Sequence, residues 1–162
     1  HPPWKRRGEA ELAPRTDPWT HRLFTAPPLL AATSAHAGWR YAEWGMTDRQ
    51  IMAASNGAAT RHYENNRARW GEYPSVKARA HEMGQDFEVW FFTDPHDGLY
   101  AIRLVPTGIY WCIDIRESAM ARWGYQVRFA DGDPYWDDPR SGNRASVIGF
   151  RGCTVKLEPL PE

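Results

Sequence analysis

The sequence of 162 residues has only two cysteines, no long apolar run and no excess of charge of either sign. Its uninterrupted apolar segments are a few residues long, far short of the roughly 20 that cross a bilayer, so we expect a soluble protein without a membrane partner. Lysine plus arginine and aspartate plus glutamate number 20 each, so the composition does not by itself require a nucleic-acid partner.

The two cysteines, Cys112 and Cys153, allow two interpretations. They could form a disulfide in an oxidising compartment or remain thiols in a reducing one. We favour the thiols, because free cysteine is among the residue types that are buried most often. The six histidines show neither HxxxH nor paired CxxC spacing, so no metal ion and no cofactor is predicted.

Tryptophan is the most unusual component of the chain. Nine tryptophans occur together with seven tyrosines and six phenylalanines, which is well above ordinary usage. Aromatic side chains at this density either fill the core of a small domain or offer flat faces that stack on sugars or bases. Both uses stay open from composition alone.

The length of the chain suits one domain, so we predict a single domain over residues 1–162. Six of the 13 prolines fall within the first 28 residues. Because proline restricts the backbone and removes a hydrogen-bond donor, residues 1–38 are predicted to form an irregular Pro-rich arm. Residues 39–85 are predicted to form a helical layer, and residues 86–162 an antiparallel β-sheet.

Two helical elements are predicted within the helical layer, and Asn56-Gly57 can divide the first of them into two short helices. The first begins at Thr47, whose hydroxyl can cap the helix while Gln50, three residues later, returns a hydrogen bond to the capping residue. The second is predicted to run from Ser75 to Met83 and to end at Gly84, since glycine commonly follows the last turn of a helix.

From Phe87 onward, apolar and polar residues alternate in short runs, which is the pattern of β-strands. The runs are FEVWFFT, LYAIRLV, IYWCIDI, YQVRF, SVIGF and CTVKL. Turn residues at 94–98 and 106–108 separate neighbouring runs and predict antiparallel hairpins. The predicted fold class is therefore α+β: an N-terminal irregular arm and short helices packed on a five- or six-stranded antiparallel sheet, arranged as a sandwich or a roll.

The stretch YQVRFADGDPYWDDPRSGN, residues 125–143, ends a predicted strand, turns at Asp131-Gly132 and then gathers acids around a tyrosine and a tryptophan. Its segments FADG, WDD and GN resemble the last hairpin of starch-binding carbohydrate-binding modules. That resemblance implies an immunoglobulin-like β-sandwich that binds a glycan. Asp138 and Pro139 stand where the family has two asparagines.

The same stretch has the side chains that a sugar needs, because an aromatic face contacts its CH groups while carboxylates and amides bond to its hydroxyls. The predicted ligand-binding residues are Tyr135, Trp136, Asp137, Asp138 and Asn143. Two other interpretations stay open: Trp136 caps the core above solvated acids, or the acids hold calcium, although their spacing is not that of an EF-hand. The first predicted function is thus a non-catalytic module that binds a glycan or similar polyol by aromatic stacking.

The alternative prediction is a small nucleic-acid- or nucleotide-directed enzyme. Helices followed by an antiparallel sheet resemble, in outline, the small ribonuclease toxins, whose sheet presents histidine and arginine to RNA phosphate. That resemblance implies catalytic roles for His62, His96 and Arg103, and imidazole suits such roles because it titrates near neutral pH. The basic and aromatic run at 61–79 would then bind phosphate, or else it is a solvated helix face that covers the sheet.

Overall fold

The structure is a computed structural model that describes residues 38–62, 73–149 and 152–162. All of these residues fall in one compact unit. The predicted arm up to residue 37, and the portion of the basic run at 63–72, lie outside the described residues.

The described residues form two helices and ten strands, and every strand pairing is antiparallel. In chain order the elements are β1 (Gly38–Trp39), β2 (Ala42–Glu43), α1 (Asp48–Ala54), β3 (Thr60–Arg61), β4 (Val76–Glu82), β5 (Gln85–Asp94), β6 (Gly98–Pro106), α2 (Cys112–Trp123), β7 (Arg128–Ala130), β8 (Asp133–Asp138), β9 (Asn143–Ile148) and β10 (Thr154–Pro159). One eight-stranded sheet has the order β3-β4-β5-β6-β10-β9-β8-β7, and β1 and β2 form a separate hairpin. The predicted α+β class is confirmed, with more strands than the five or six expected.

The predicted start of the first helix is confirmed. The backbone N–H of Gln50 donates to the Thr47 hydroxyl over 3.4 Å, and the Gln50 side-chain oxygen accepts from the Thr47 N–H over 2.8 Å. This reciprocal pair satisfies two N–H groups that the helix itself leaves unpaired. Ile51 is fully buried and anchors α1 on the sheet. Within the described ranges, no helix is long and apolar enough to cross a membrane.

The helix predicted from Ser75 to Met83 is wrong, because this segment is strand β4. Alanine, lysine and arginine favour helices in isolation, but pairing with β5 along the whole of β4 outweighs that weak preference. Met83 and Gly84 both have positive φ, 51° and 73°. They form the two-residue turn that joins Glu82 to Gln85, so the glycine serves a hairpin and not a helix end.

The strand predicted for IYWCIDI is also wrong, because α2 begins at Cys112. Asp114 accepts a hydrogen bond from the backbone N–H of Trp111 over 3.0 Å and thereby caps the first turn. The residues after Ile115 are mostly good helix formers, and Ile115 and Ala119, four apart, are the buried pair of the helix. Trp111, which lies within the run predicted as a strand, is 75% exposed.

The sheet has one apolar face and one mixed face, because side chains alternate along each strand. The inner face carries the core and is covered by α1, which packs on β3 and β4, by α2 on β9, and by β1 on β10. The inner-face residues that are fully buried include Val76, Phe87, Val89, Phe91, Ile102, Val147 and Val155. The other face, called the outer face here, carries the intervening residues of the same strands.

A disulfide joins Cys112 to Cys153, with 5.1 Å between their Cα atoms, so the thiols favoured from the sequence are wrong. Cys112 is the first residue of α2 and Cys153 directly precedes β10, so the bridge ties the start of the helix to the sheet. The sequence analysis predicted Cys112 in the middle of a strand, and that position did not indicate a partner cysteine.

Candidate ligand-binding face

The hairpin of β8 and β9 divides the five predicted sugar-binding residues between the two faces of the sheet. Trp136 lies on the inner face and is 4% exposed. Its indole Nε1 donates to the Gly124 carbonyl over 2.9 Å, and its ring lies 6.0 Å from that of Trp123. The prediction that Trp136 offers an open indole is therefore wrong: period-two alternation turns it into the core.

Asn143 and Asp138 hold the hairpin in place. Asn143 is 7% exposed; its Nδ2 donates to the Gly38 carbonyl over 2.5 Å, and its Oδ1 accepts from the Trp44 indole over 2.9 Å. The Asp138 carboxylate accepts from the backbone N–H of Arg140 over 3.1 Å and shapes the turn between the strands. Both side chains are thus committed to structure, Asn143 by fastening the β1–β2 hairpin to the sheet.

Tyr135 and Asp137 lie on the outer face, where they meet arginines. Arg144 donates from Nε and from its terminal nitrogen to the two Asp137 oxygens over 2.7 and 3.2 Å, and Arg128 lies 3.4 Å from the same carboxylate. The Arg144 guanidinium also lies 4.6 Å from the centre of the Tyr135 ring. The hydrogen bonds from Arg144 lower the pKa of Asp137 despite partial desolvation, and the charges of both arginines add to this effect.

The Asp137 pair gives the stability of the protein a defined pH dependence. Because the folded-state pKa of Asp137 is lowered, its contribution is complete above the ordinary aspartate pKa of about 3.9 and is lost as the pH falls through the folded value. We expect Asp137→Asn to cost about 1 kcal/mol at neutral pH, with a smaller difference from the original protein at acid pH. Urea unfolding at several pH values measures this, with Asp97→Asn in an exposed turn as the control. A difference that grows toward acid pH would contradict the assignment.

A single row of side chains crosses the outer face, because the register aligns one residue from each of seven strands. Each member is the cross-strand partner of the next. From β4 to β7 the row consists of Lys77, Trp90, Arg103, Lys156, Ser146, Tyr135 and Arg128. We call this set the outer row. It combines two aromatic rings, four cations and a hydroxyl, and carboxylates flank it.

Trp90 is the centre of one cluster in the outer row. Its indole Nε1 donates to Glu88 over 2.5 Å, and the Lys77 ammonium lies 4.7 Å from its ring centre and 3.1 Å from Glu88. Desolvation alone would raise the pKa of Glu88, but the hydrogen bonds from Trp90 and Lys77, with the charges of Lys77 and His62, lower it below its ordinary value. Glu88 therefore stays ionised and holds both the indole and the ammonium in place.

Arg103 is placed next to Trp90 across the strands. Its guanidinium carbon lies 5.2 Å from the ring centre of Phe92, and the Phe92 ring contacts those of Trp90 and Tyr100 at 6.4 and 6.5 Å. Burial raises the pKa of Tyr100, and the Asp94 carboxylate adds to that shift while Arg103 opposes it. Sequence reasoning did not connect Trp90 with Arg103, although alternation in FEVWFFT places Glu88, Trp90 and Phe92 on one face.

The three residues predicted for catalysis do not meet. His62 follows β3, which is three strand spacings from β6 and Arg103, or about 14 Å. His96 lies in the β5–β6 turn, where its backbone N–H donates to Asp94, and Arg103 is five residues beyond the end of that turn, about 17 Å along the strand. At these backbone separations the placement of the three residues does not support a shared role at one phosphate, and their catalytic role stays a prediction.

The outer face has no metal centre in the part of the chain that the structure describes. A small hollow with room for about 20 Å³ lies on the inner side between Trp39 and Trp123, far below the roughly 300–1,000 Å³ of typical small-molecule sites. The described ranges contain no group of three or more His, Cys, Asp or Glu side chains that could hold a metal ion.

No family model matches the chain, and no curated protein matches it. Among solved structures, the chain is similar to a DUF4309 family protein, YjgB, from Bacillus subtilis, with 16% sequence identity and a TM-score of 0.37. That match covers 70% of this chain and 78% of the other. A TM-score this low does not establish a shared fold or function. The resemblance to starch-binding modules stays a prediction.

Proposed function

We propose that this protein is a non-catalytic module that binds a glycan across the outer face of its sheet. The observation that carries the proposal is the outer row, in which Trp90 and Tyr135 stand among carboxylates, cations and a hydroxyl on one aligned surface. A sugar needs an apolar surface for its CH groups and polar groups for its hydroxyls. The outer row supplies both.

The cations over the two rings mark the ring faces that a sugar would use. Lys77 lies over Trp90 and Arg144 over Tyr135, and their side chains are 20% and 31% exposed. Ion pairs this close to the surface are worth little, about 0–1 kcal/mol. A sugar ring can therefore displace the cation and then accept hydrogen bonds from it.

The spacing of the rings favours an extended ligand. Trp90 on β5 and Tyr135 on β8 are separated by four strand spacings, about 19 Å. A single monosaccharide cannot touch both rings. The proposed ligand is an oligosaccharide that lies across the strands.

Two further features support a glycan over a nucleic acid. Most cations of the outer face are neutralised: Lys156 lies 2.6 Å from Glu158, and Lys77 and Arg144 have the carboxylate partners described above. Phosphate backbones are bound by uncompensated positive charge. The Cys112–Cys153 disulfide also suits an oxidising compartment, where glycans are common partners.

Alanine substitutions at the two rings test the proposal. We expect Trp90→Ala and Tyr135→Ala each to weaken glycan binding about tenfold, because losing about 1–1.5 kcal/mol of stacking corresponds to that factor. Retardation in native gels that contain soluble starch, xylan or polygalacturonate gives the affinity of each variant.

The matched control is Phe129→Ala, which removes an exposed ring from the opposite face of the β7–β8 hairpin. It should leave retardation unchanged. Retardation of the unaltered protein that survives both ring substitutions, or that disappears only with Phe129→Ala, would place the ligand elsewhere.

A further inference from the structure

Resting on the proposed function, we infer that the glycan is acidic and that Arg103 holds one of its carboxylates. Arg103 is the third of the seven residues in the outer row and lies between Trp90 and Lys156. A uronate residue placed over β6 would thus lie beside the aromatic surface of Trp90. The inference names a ligand class, an oligouronate, and the residue that selects it.

Arg103 differs from its neighbours in its charge balance. Within the described ranges it has no carboxylate within ion-pair distance, whereas Lys77, Lys156, Arg128 and Arg144 each have one. Arg103 is also only partly exposed, so its charge is incompletely hydrated. An anion from outside the protein is the missing partner for this guanidinium.

The packing of Arg103 prepares it to bind a carboxylate. Its guanidinium lies over the Phe92 ring, and Phe92 is 2% exposed and fixed by contacts with Trp90 and Tyr100. Within the described ranges no residue accepts a hydrogen bond from this guanidinium, so its contact with the ring leaves its N–H groups free to donate to a ligand. Those groups form a rigid fork that fits the two oxygens of a carboxylate.

The test compares one glycan backbone with and without its carboxylates. The probes are an oligogalacturonate and the same oligomer after reduction of its carboxyl groups to alcohols, with titration calorimetry on the full chain. We expect the unaltered protein to bind the acidic probe about 10- to 100-fold more tightly, since a hydrogen-bonded charge pair is worth that factor. Arg103→Gln should abolish this preference, and Arg103→Lys should restore only part of it, because lysine lacks the fork.

The control Arg49→Gln makes the same charge change on α1, away from the outer face, and should keep the preference. Equal binding of the two probes by the unaltered protein, or an unchanged preference in Arg103→Gln, would overturn the role of Arg103 while leaving glycan binding intact. Binding of neither probe, nor of the starch and xylan used above, would refute the proposed function itself. Tighter binding of a single-stranded oligonucleotide of equal charge would overturn the acidic-glycan assignment in favour of nucleic acid.

Discussion

Trp136→Ala is expected to lower the free energy of unfolding by about 3–5 kcal/mol. The indole is 4% exposed, packs against Trp123 and donates to the Gly124 carbonyl, so its removal leaves a cavity and takes the indole donor from a part-buried carbonyl. Urea unfolding followed by circular dichroism measures the loss. Glycan retardation at a temperature where the variant is still folded should be unchanged, because Trp136 lies on the inner face.

Two variants make this expectation specific. Trp136→Phe keeps most of the packing but loses the indole N–H, so it should cost less than Trp136→Ala. Tyr135→Ala, the adjacent position on the other face, should cost about 1 kcal/mol or less yet weaken binding. A Trp136→Ala protein of unchanged stability that no longer binds glycan would show that the indole contacts the ligand. It would contradict the assignment of the ligand site to the outer row.

Removal of the Cys112–Cys153 disulfide is expected to cost about 4 kcal/mol, the chain-entropy value for a loop closed over a separation of 41 residues. The bridge lowers the conformational entropy of the unfolded chain. In the folded protein it ties the start of α2 to the sheet. Replacing both cysteines by alanine tests this, with unfolding by urea as the measurement. Dithiothreitol should destabilise the original protein by a similar amount and leave the double variant unchanged.

Thiol titration of the denatured, unreduced protein provides an independent check on the bridge. We expect no reactive thiol. Two thiols per chain, together with insensitivity to dithiothreitol, would contradict the disulfide and with it the support that an oxidising compartment lends to the glycan proposal.

Local signals predicted part of the fold correctly. The capping pair of Thr47 and Gln50 marked the start of α1, and Asp131-Gly132 marked a two-residue turn, which joins β7 to β8. These features depend on neighbours in sequence, so a short window contains all the necessary information. The segments 75–83 and 109–115 were misassigned because each is short and its composition favours the wrong element.

The candidate site was harder to predict than the fold. The ligand site was predicted at residues 135–143 because aromatic and acidic residues are adjacent there. Adjacent residues on a strand point to opposite faces, so Tyr135 lies on the outer face while Trp136 packs in the core. Trp90 and Arg103, in contrast, are far apart in sequence and become neighbours only through the register of β5 and β6.

The sequence by itself determined the abundance of aromatic residues, the alternation that builds strands and the turns that join them, since each is a local property of the chain. Only the tertiary structure decided that Cys112 meets Cys153, that Trp136 is sealed in the core and that the outer row aligns across seven strands. The reason is physical: strand order and register are set by packing and pairing over the whole sheet, and no short segment contains them.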